Sequence, residues 1–236
     1  MTDKEIDAIL AKATRTPPPV DPALIDRVTD SIQGSMRPVR PLPADSVLIT
    51  ALIVICGAVA VAGAARLGLL GIRRMSVPEI VLIFAALAVF VWLAATELVS
   101  EMIPGSRHRV NPAALLGGGS LALIAIFGLL FRDYQTTEFV RLGLTCLGAG
   151  LLHAIPVALA SWLILRRGFA VKPTAAGMVA GTLAGLAGLI MLELHCPNFE
   201  VLHLMVWHTA VVLVSGGVGA LLARGVRARR YTGRSL

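Results

Sequence analysis

Charge is scarce in this chain. Asp, Glu, Lys and Arg make up 15% of its 236 residues, against about 25% in an ordinary soluble domain. Aromatic residues stand at 5%. Short alternating strands are missing, which argues against a β-barrel. The first 44 residues are polar and proline-rich, not a basic stub followed by an apolar core, so no cleavable signal peptide is expected. Cysteine occurs three times and never as Cys-x-x-Cys, and there is neither a nucleophile motif nor a phosphate-binding loop. These absences point away from an enzyme, and no cofactor is expected. The net charge of +7 comes with no recognition motif, so direct nucleic-acid binding is not expected either.

What fills the chain is apolar. Hydrophobic residues reach 56% and the mean hydropathy is +0.81. Apolar runs of about 20 residues recur, the length that crosses a hydrocarbon core about 30 Å thick. Backbone groups there find no water, so the runs must be helical. Spans are expected at about 47–65, 79–98, 113–131, 142–165, 174–194 and 201–223. The fold class is therefore all-α: a polytopic six-helix transmembrane bundle in the lipid bilayer. A short N-terminal arm, helical or disordered (1–44), precedes it, and a basic tail (224–236) follows.

Basic residues set the orientation. With the N-terminus in the cytoplasm, 16 of the 21 Lys and Arg fall inside, and only Arg66, Arg73, Arg74, Arg132 and Arg141 fall outside. Both termini are then cytoplasmic and the loop around Cys196 faces out. Gly177, Gly181 and Gly185 share one helix face, which allows close helix packing within the bundle.

The arm reads as two short helices. Ile6, Ile9 and Leu10 recur at helical spacing before Pro17-Pro18-Pro19. Asp21-Pro22 then supplies an N-cap and a proline at the first helical position. Leu24, Ile25, Val28 and Ile32 follow at helical spacing, and Pro38, Pro41 and Pro43 make a stiff tether. Helices this short bury no core alone. Their apolar faces need a protein, the bilayer surface or the bundle, and the mixed charge favours a protein. A disordered tail with residual helix is the alternative.

Cys56 sits among Ile and Gly inside the first span and reads as a small buried residue. Cys146 and Cys196 both map near the outer surface, where disulfides are permitted. Cys196 precedes the last span, and a helix N-terminus would lower its pKa. The two make a reversible disulfide candidate if their Cα atoms lie within about 7 Å. His153, His195, His203 and His208 map to the same half, as do Glu193 and Glu200. Three readings stay open: a redox or metal-sensing site, a polar structural network, and a transport or catalytic site. A small transporter or thiol- and metal-handling membrane protein is the alternative function, but acidic residues are almost absent from the spans. Glu97 and Glu193 lie near span ends.

The run Glu193-Leu194-His195-Cys196-Pro197-Asn198, followed by His203 and Trp207-His208, is one of two signature segments. The other is Cys146 in Thr145-Cys146-Leu147-Gly148-Ala149-Gly150, with His153 beyond it. With six spans and a short arm, this resembles the NrsF family, negative regulators of sigma-F-type extracytoplasmic-function (ECF) sigma factors. The resemblance covers roughly residues 45–225; the arm matches only in length and helical character. It implies an anti-sigma factor of the bacterial inner membrane whose arm holds an ECF sigma factor away from RNA polymerase. It also implies that Cys146 and Cys196 sense a heavy metal or oxidant outside.

Overall fold

In the computed structural model, residues 2–15, 21–35, 42–103, 105–136, 138–168 and 170–232 are described. The chain divides into two compact units, Met1–Pro41 and Leu42–Leu236.

The first unit holds α1 (Asp3–Arg15) and α2 (Pro22–Ser35). The expected cap is present: the Asp21 carboxylate accepts the Ala23 N–H at 2.9 Å, satisfying one of the donors that a helix start leaves free. Pro22 occupies the first helical position, where its missing N–H costs nothing. Ile6, Leu24, Ile25, Val28 and Ile32 are all exposed. The Pro17–Pro19 break and the Pro38 and Pro41 part of the tether lie outside the described residues, as do the side chains of Ile9 and Leu10.

The second unit is an all-α bundle. Its helices are α3 (Asp45–Leu67), α4 (Val77–Ser100), α5 (Pro112–Leu130), α6 (Phe139–Leu165) and α7 (Pro173–His195), followed by a final composite helix. That helix consists of α8 (Val201–His203), a π-helical turn (Leu204–His208) and α9 (Thr209–Thr232). Among the described residues, six segments are long and apolar enough to cross a membrane, the last being Val201–Gly225, and the chain is accordingly a multi-pass membrane protein by length and composition. Each expected boundary falls within three residues of the observed one. Local chemistry sets the starts. The Glu79 carboxylate accepts the Ser76 N–H at 2.7 Å, and the Asn111 side chain accepts the Ala113 N–H at 2.8 Å. Proline opens α5 and α7. In the basic tail, the side chains beyond Gly225 lie outside the described residues, as does Pro104 in the α4–α5 loop.

Loop contacts show an alternating up-and-down path. At one end the loops after α3, α5 and α7 meet. His195 Nδ1 lies 2.8 Å from the Gly68 carbonyl, Arg74 donates to the Pro197 carbonyl at 3.2 Å, and the Val201 N–H donates to the Asp133 carbonyl at 2.7 Å. At the other end the α6–α7 loop packs on the residues after α4, with Gly168 against the Met102 side chain. The first helix of the bundle, α3, begins at this second end.

The axis of the bundle is α7. In its most apolar stretch 78% of residues are buried, against 22–39% in the other five spans. Glycines make this possible. Gly177, Gly181 and Gly185 face Gly219, Ser215 and Val212 of α9, and Gly188 faces the Gly150 carbonyl of α6. A Cβ at any of the four would collide with neighbouring backbone. Where the solvent is hydrocarbon, apolar burial drives no association, and close van der Waals packing between small residues takes its place. The outward faces carry Leu121, Leu129, Leu152 and Leu221, all exposed, an exterior that suits a hydrocarbon solvent.

Candidate functional site

At the end where the α7–α8 loop lies, four sequence-predicted residues converge. Cys146 stands two turns into α6, and Cys196 caps the C-terminus of α7, its N–H donating to the Leu192 carbonyl at 2.7 Å. Pro197 forces the residue before it out of the helical region, and Cys196 accordingly has φ −69° and ψ 120°. The two sulfurs are 3.6 Å apart. His203 Nε2 approaches the Cys196 sulfur at 3.7 Å, and the His203 and His208 rings pack edge to face with centroids 5.2 Å apart. Both imidazoles are fully buried, Cys196 is buried, and Cys146 is half-buried. One ligand atom from each of the four lies within 4.8 Å of all the others.

The π turn explains how both imidazoles reach one place. Residues five apart on an α-helix diverge by about 140° at 3.6 residues per turn. A π-helical turn stacks i on i+5 instead, and Leu204–His208 takes that form. Beside it, Trp207 tilts against Phe139 at 5.5 Å and fills the space that a side chain on Gly143 would need.

Glu193 completes the cluster. It lies three residues before Cys196, so both share the inner face of α7. Its carboxylate meets His208 Nδ1 at 2.6 Å, with both side chains fully buried. The carboxylate accepts, so Nδ1 carries hydrogen, and in the neutral ring Nε2 keeps its lone pair. His208 Nε2 and His203 Nδ1 have no hydrogen-bond partner among the described residues.

Backbone contacts pin the loop over the cluster. The N–H groups of Gly71 and Ile72 donate to the carbonyls of His195 and Leu194, both at 3.2 Å. The Asn198 side chain accepts the Glu200 N–H at 2.9 Å, and Phe199 stacks on Phe131 at 5.3 Å.

The structure corrects two expectations about this region. Cys196 stands at the C-terminus of α7, the negative end of a helix dipole, and not at a helix start. Its thiol is held above the ordinary range, first by its hydrogen bond to Cys146 and then by burial, with His203 and His208 pulling the other way. Cys196 is buried, with the α3–α4 loop bonded to the backbone just before it. The remaining two histidines stay out of the cluster. His153 Nδ1 bonds the Ala149 carbonyl at 2.8 Å and its ring packs on Gly63 of α3, while His195 is tied to Gly68. Cys56 is buried in α3, as its sequence setting indicates.

Sequence reasoning missed two carboxylate roles. One is Glu193 as the partner of His208. The other is a polar knot at the opposite end, where fully buried Glu97 accepts the N–H groups of Arg109 at 2.5 Å and Val110 at 2.9 Å and meets His108 Nδ1 at 3.3 Å. The available signal was a carboxylate flanked by apolar residues in a span, which is costly without a dedicated partner.

A comparison with known families matches residues 34–227 to NrsF, described as negative regulator of sigma F. The chain belongs to this family. The match takes in all six spans and the thiol–imidazole cluster, while α1 and nearly all of α2 precede it. NrsF membership makes the chain a negative regulator of a sigma factor. No curated protein and no solved structure matches it.

Proposed function

We propose that this NrsF protein is an anti-sigma factor of the bacterial inner membrane. Its cytoplasmic arm sequesters an ECF sigma factor and releases it when Cys146 and Cys196 react with an oxidant or a heavy metal outside. The observation that carries this reading is the separation of two unlike ends. The thiol cluster occupies one end of the bundle, and α3, the helix that follows the arm in sequence, begins at the other. The distribution of Lys and Arg supports a cytoplasmic arm and outward thiols. On α2, Leu24, Ile25, Val28 and Ile32 present an exposed apolar face, the kind of face that enters a groove on a partner as an amphipathic helix.

The thiols suit a two-electron signal. With a peroxide as oxidant, two S–H bonds and the O–O bond break, one S–S bond forms, and the two hydrogens leave in two waters. The sulfurs must close from 3.6 Å to about 2.05 Å. Cys146 is fixed to α6 and Cys196 to the end of α7, so closure draws those two helices together. To swing a two-state arm from 1:99 to 99:1, the signal must favour one state by about 5.5 kcal/mol, a scale within reach of a covalent bond.

The test is a pull-down of the full chain from membranes against the cell's sigma factors. Retention is expected to vanish on deleting residues 1–40 and to fall at least tenfold in Leu24→Asp/Val28→Asp. Peroxide is expected to release the factor from the native chain but not from Cys146→Ser or Cys196→Ser. Unchanged retention after the deletion would sink the proposal.

A further inference from the structure

We infer that Cys146, Cys196, His203 and His208 bind one zinc(II) ion, through two thiolates and two imidazole Nε2 atoms. This deepens the sensory reading of the same thiols and rests on it only for its regulatory meaning; ion binding follows from the geometry.

Three observations converge. The first is spacing. Tetrahedral zinc with bonds of about 2.3 Å to sulfur and about 2.05 Å to nitrogen places two sulfurs about 3.8 Å apart and a sulfur and a nitrogen about 3.6 Å apart. The Cys146–Cys196 separation is 3.6 Å, and that between the Cys196 sulfur and His203 Nε2 is 3.7 Å. The widest separation in the set of four is within 4.8 Å, so at most about an ångström of side-chain adjustment closes the shell. Four ligands leave no open position, which is the pattern of a structural ion and not of a catalytic one.

The second observation is an unmet valence. His208 is fully buried, its Nδ1 is committed to Glu193, and its Nε2 has no hydrogen-bond partner among the described residues. An unpartnered ring nitrogen in a buried pocket is expensive, and in the neutral ring a cation between the thiols satisfies it. A carboxylate bound to the far nitrogen is the arrangement that orients metal-bound histidines and raises their basicity.

The third is charge. On binding, each thiol gives up its proton, so one Zn²⁺ enters, two H⁺ leave and the four-ligand centre is neutral. A neutral centre suits a buried site, where an uncompensated charge is costly. The soft sulfurs and borderline imidazoles favour zinc over magnesium or calcium. The π turn gains a reason as well, because a regular helix would carry His203 and His208 apart.

The experiment uses the full chain in detergent, reduced and at neutral pH. Zinc(II) alone is added and counted by elemental analysis, and cobalt(II) serves as the spectroscopic replacement. One zinc per chain is expected, together with tetrahedral cobalt bands and a sulfur-to-cobalt charge-transfer band. Glu193→Gln should keep the stoichiometry and the spectrum while weakening affinity about 10–100-fold. Cys146→Ser/Cys196→Ser should lose the charge-transfer band. The cobalt spectrum of the native chain needs no variant. An octahedral spectrum without charge transfer overturns the site, as does full zinc occupancy in the double serine variant. If zinc binds but sigma-factor release ignores both cysteines, the sensory reading fails and the ion site stands. If no zinc binds while release still depends on the cysteines, the ion site fails and the sensory reading stands.

Discussion

The Glu193–His208 pair offers a quantitative test of how the cluster is held. Both side chains are fully buried and joined at 2.6 Å. His208→Phe keeps the ring's approximate volume but strands a carboxylate, and breaking a buried pair from one side costs about 3–5 kcal/mol. Glu193→Leu strands a neutral Nδ1–H, for about 1–3 kcal/mol. Combining the two changes leaves no orphaned polar group, so the double variant pays only for imperfect packing, about 1–3 kcal/mol. The single costs together exceed the double cost by about 4 kcal/mol. Neutral inter-helix hydrogen bonds in membrane proteins couple by only about 0.6 kcal/mol on average, so the expected value separates a buried carboxylate–imidazole pair from an ordinary neutral polar contact. The assay is reversible unfolding of the four proteins in mixed micelles, with chelator present so that no ion contributes. Single costs that add to the double within about 0.5 kcal/mol would show that the two residues do not hold one another, and the reasoning would fail.

Three further outcomes follow from packing and charge. Gly181→Val drives a branched side chain into the Ser215 and Gly216 backbone and is expected to destabilise the bundle by about 3 kcal/mol or more. Gly217→Ala, with nothing within 4 Å of its added carbon, should be neutral or gain up to about 1 kcal/mol; the same unfolding assay reads both. Glu101, just past α4, is held above its ordinary 4.5 by burial, with His108 and Lys172 opposing and Glu97 reinforcing. The folded chain therefore binds this proton more tightly than the unfolded chain does, and stability falls as pH rises from 4.5 through the folded value. The stability of Glu101→Gln relative to the native chain should rise across that window and level off above it; a flat difference from pH 4 to pH 7 would contradict the assignment.

The bundle was legible in the sequence because the hydrocarbon core imposes a length and a helical backbone on any apolar run. Proline, asparagine and paired basic residues then mark the ends. The capped start of α2 was legible for a similarly local reason: Asp21, Pro22 and the apolar spacing after them lie within a few residues of one another. The glycine face on α7 was legible as a close-packing face, but its partner was not, since any of five helices could have met it. That partner is α9, and α7 became the buried axis through packing alone.

The site divides the same way. Composition and spacing brought Cys146, Cys196 and four histidines to one end of the molecule, because alternating spans leave little freedom about which end a residue reaches. Which of those residues touch is a matter of side-chain direction, and that was settled by two tertiary features. The π turn swings His208 onto the same side as His203 at a spacing that a regular α-helix would spread apart, and nothing in Leu204–His208 announces it. The end of α7 at Cys196 sets the second sulfur beside α6 and places Glu193 one turn below, against His208. His153 and His195 satisfy nearby backbone carbonyls instead. The sequence by itself determined six helices and the end of the bundle to which the thiols belong, because those follow from the solvent. The tertiary structure alone selected the four residues that face one another, because a contact depends on the rotation of each helix about its axis, and only packing against neighbours fixes that.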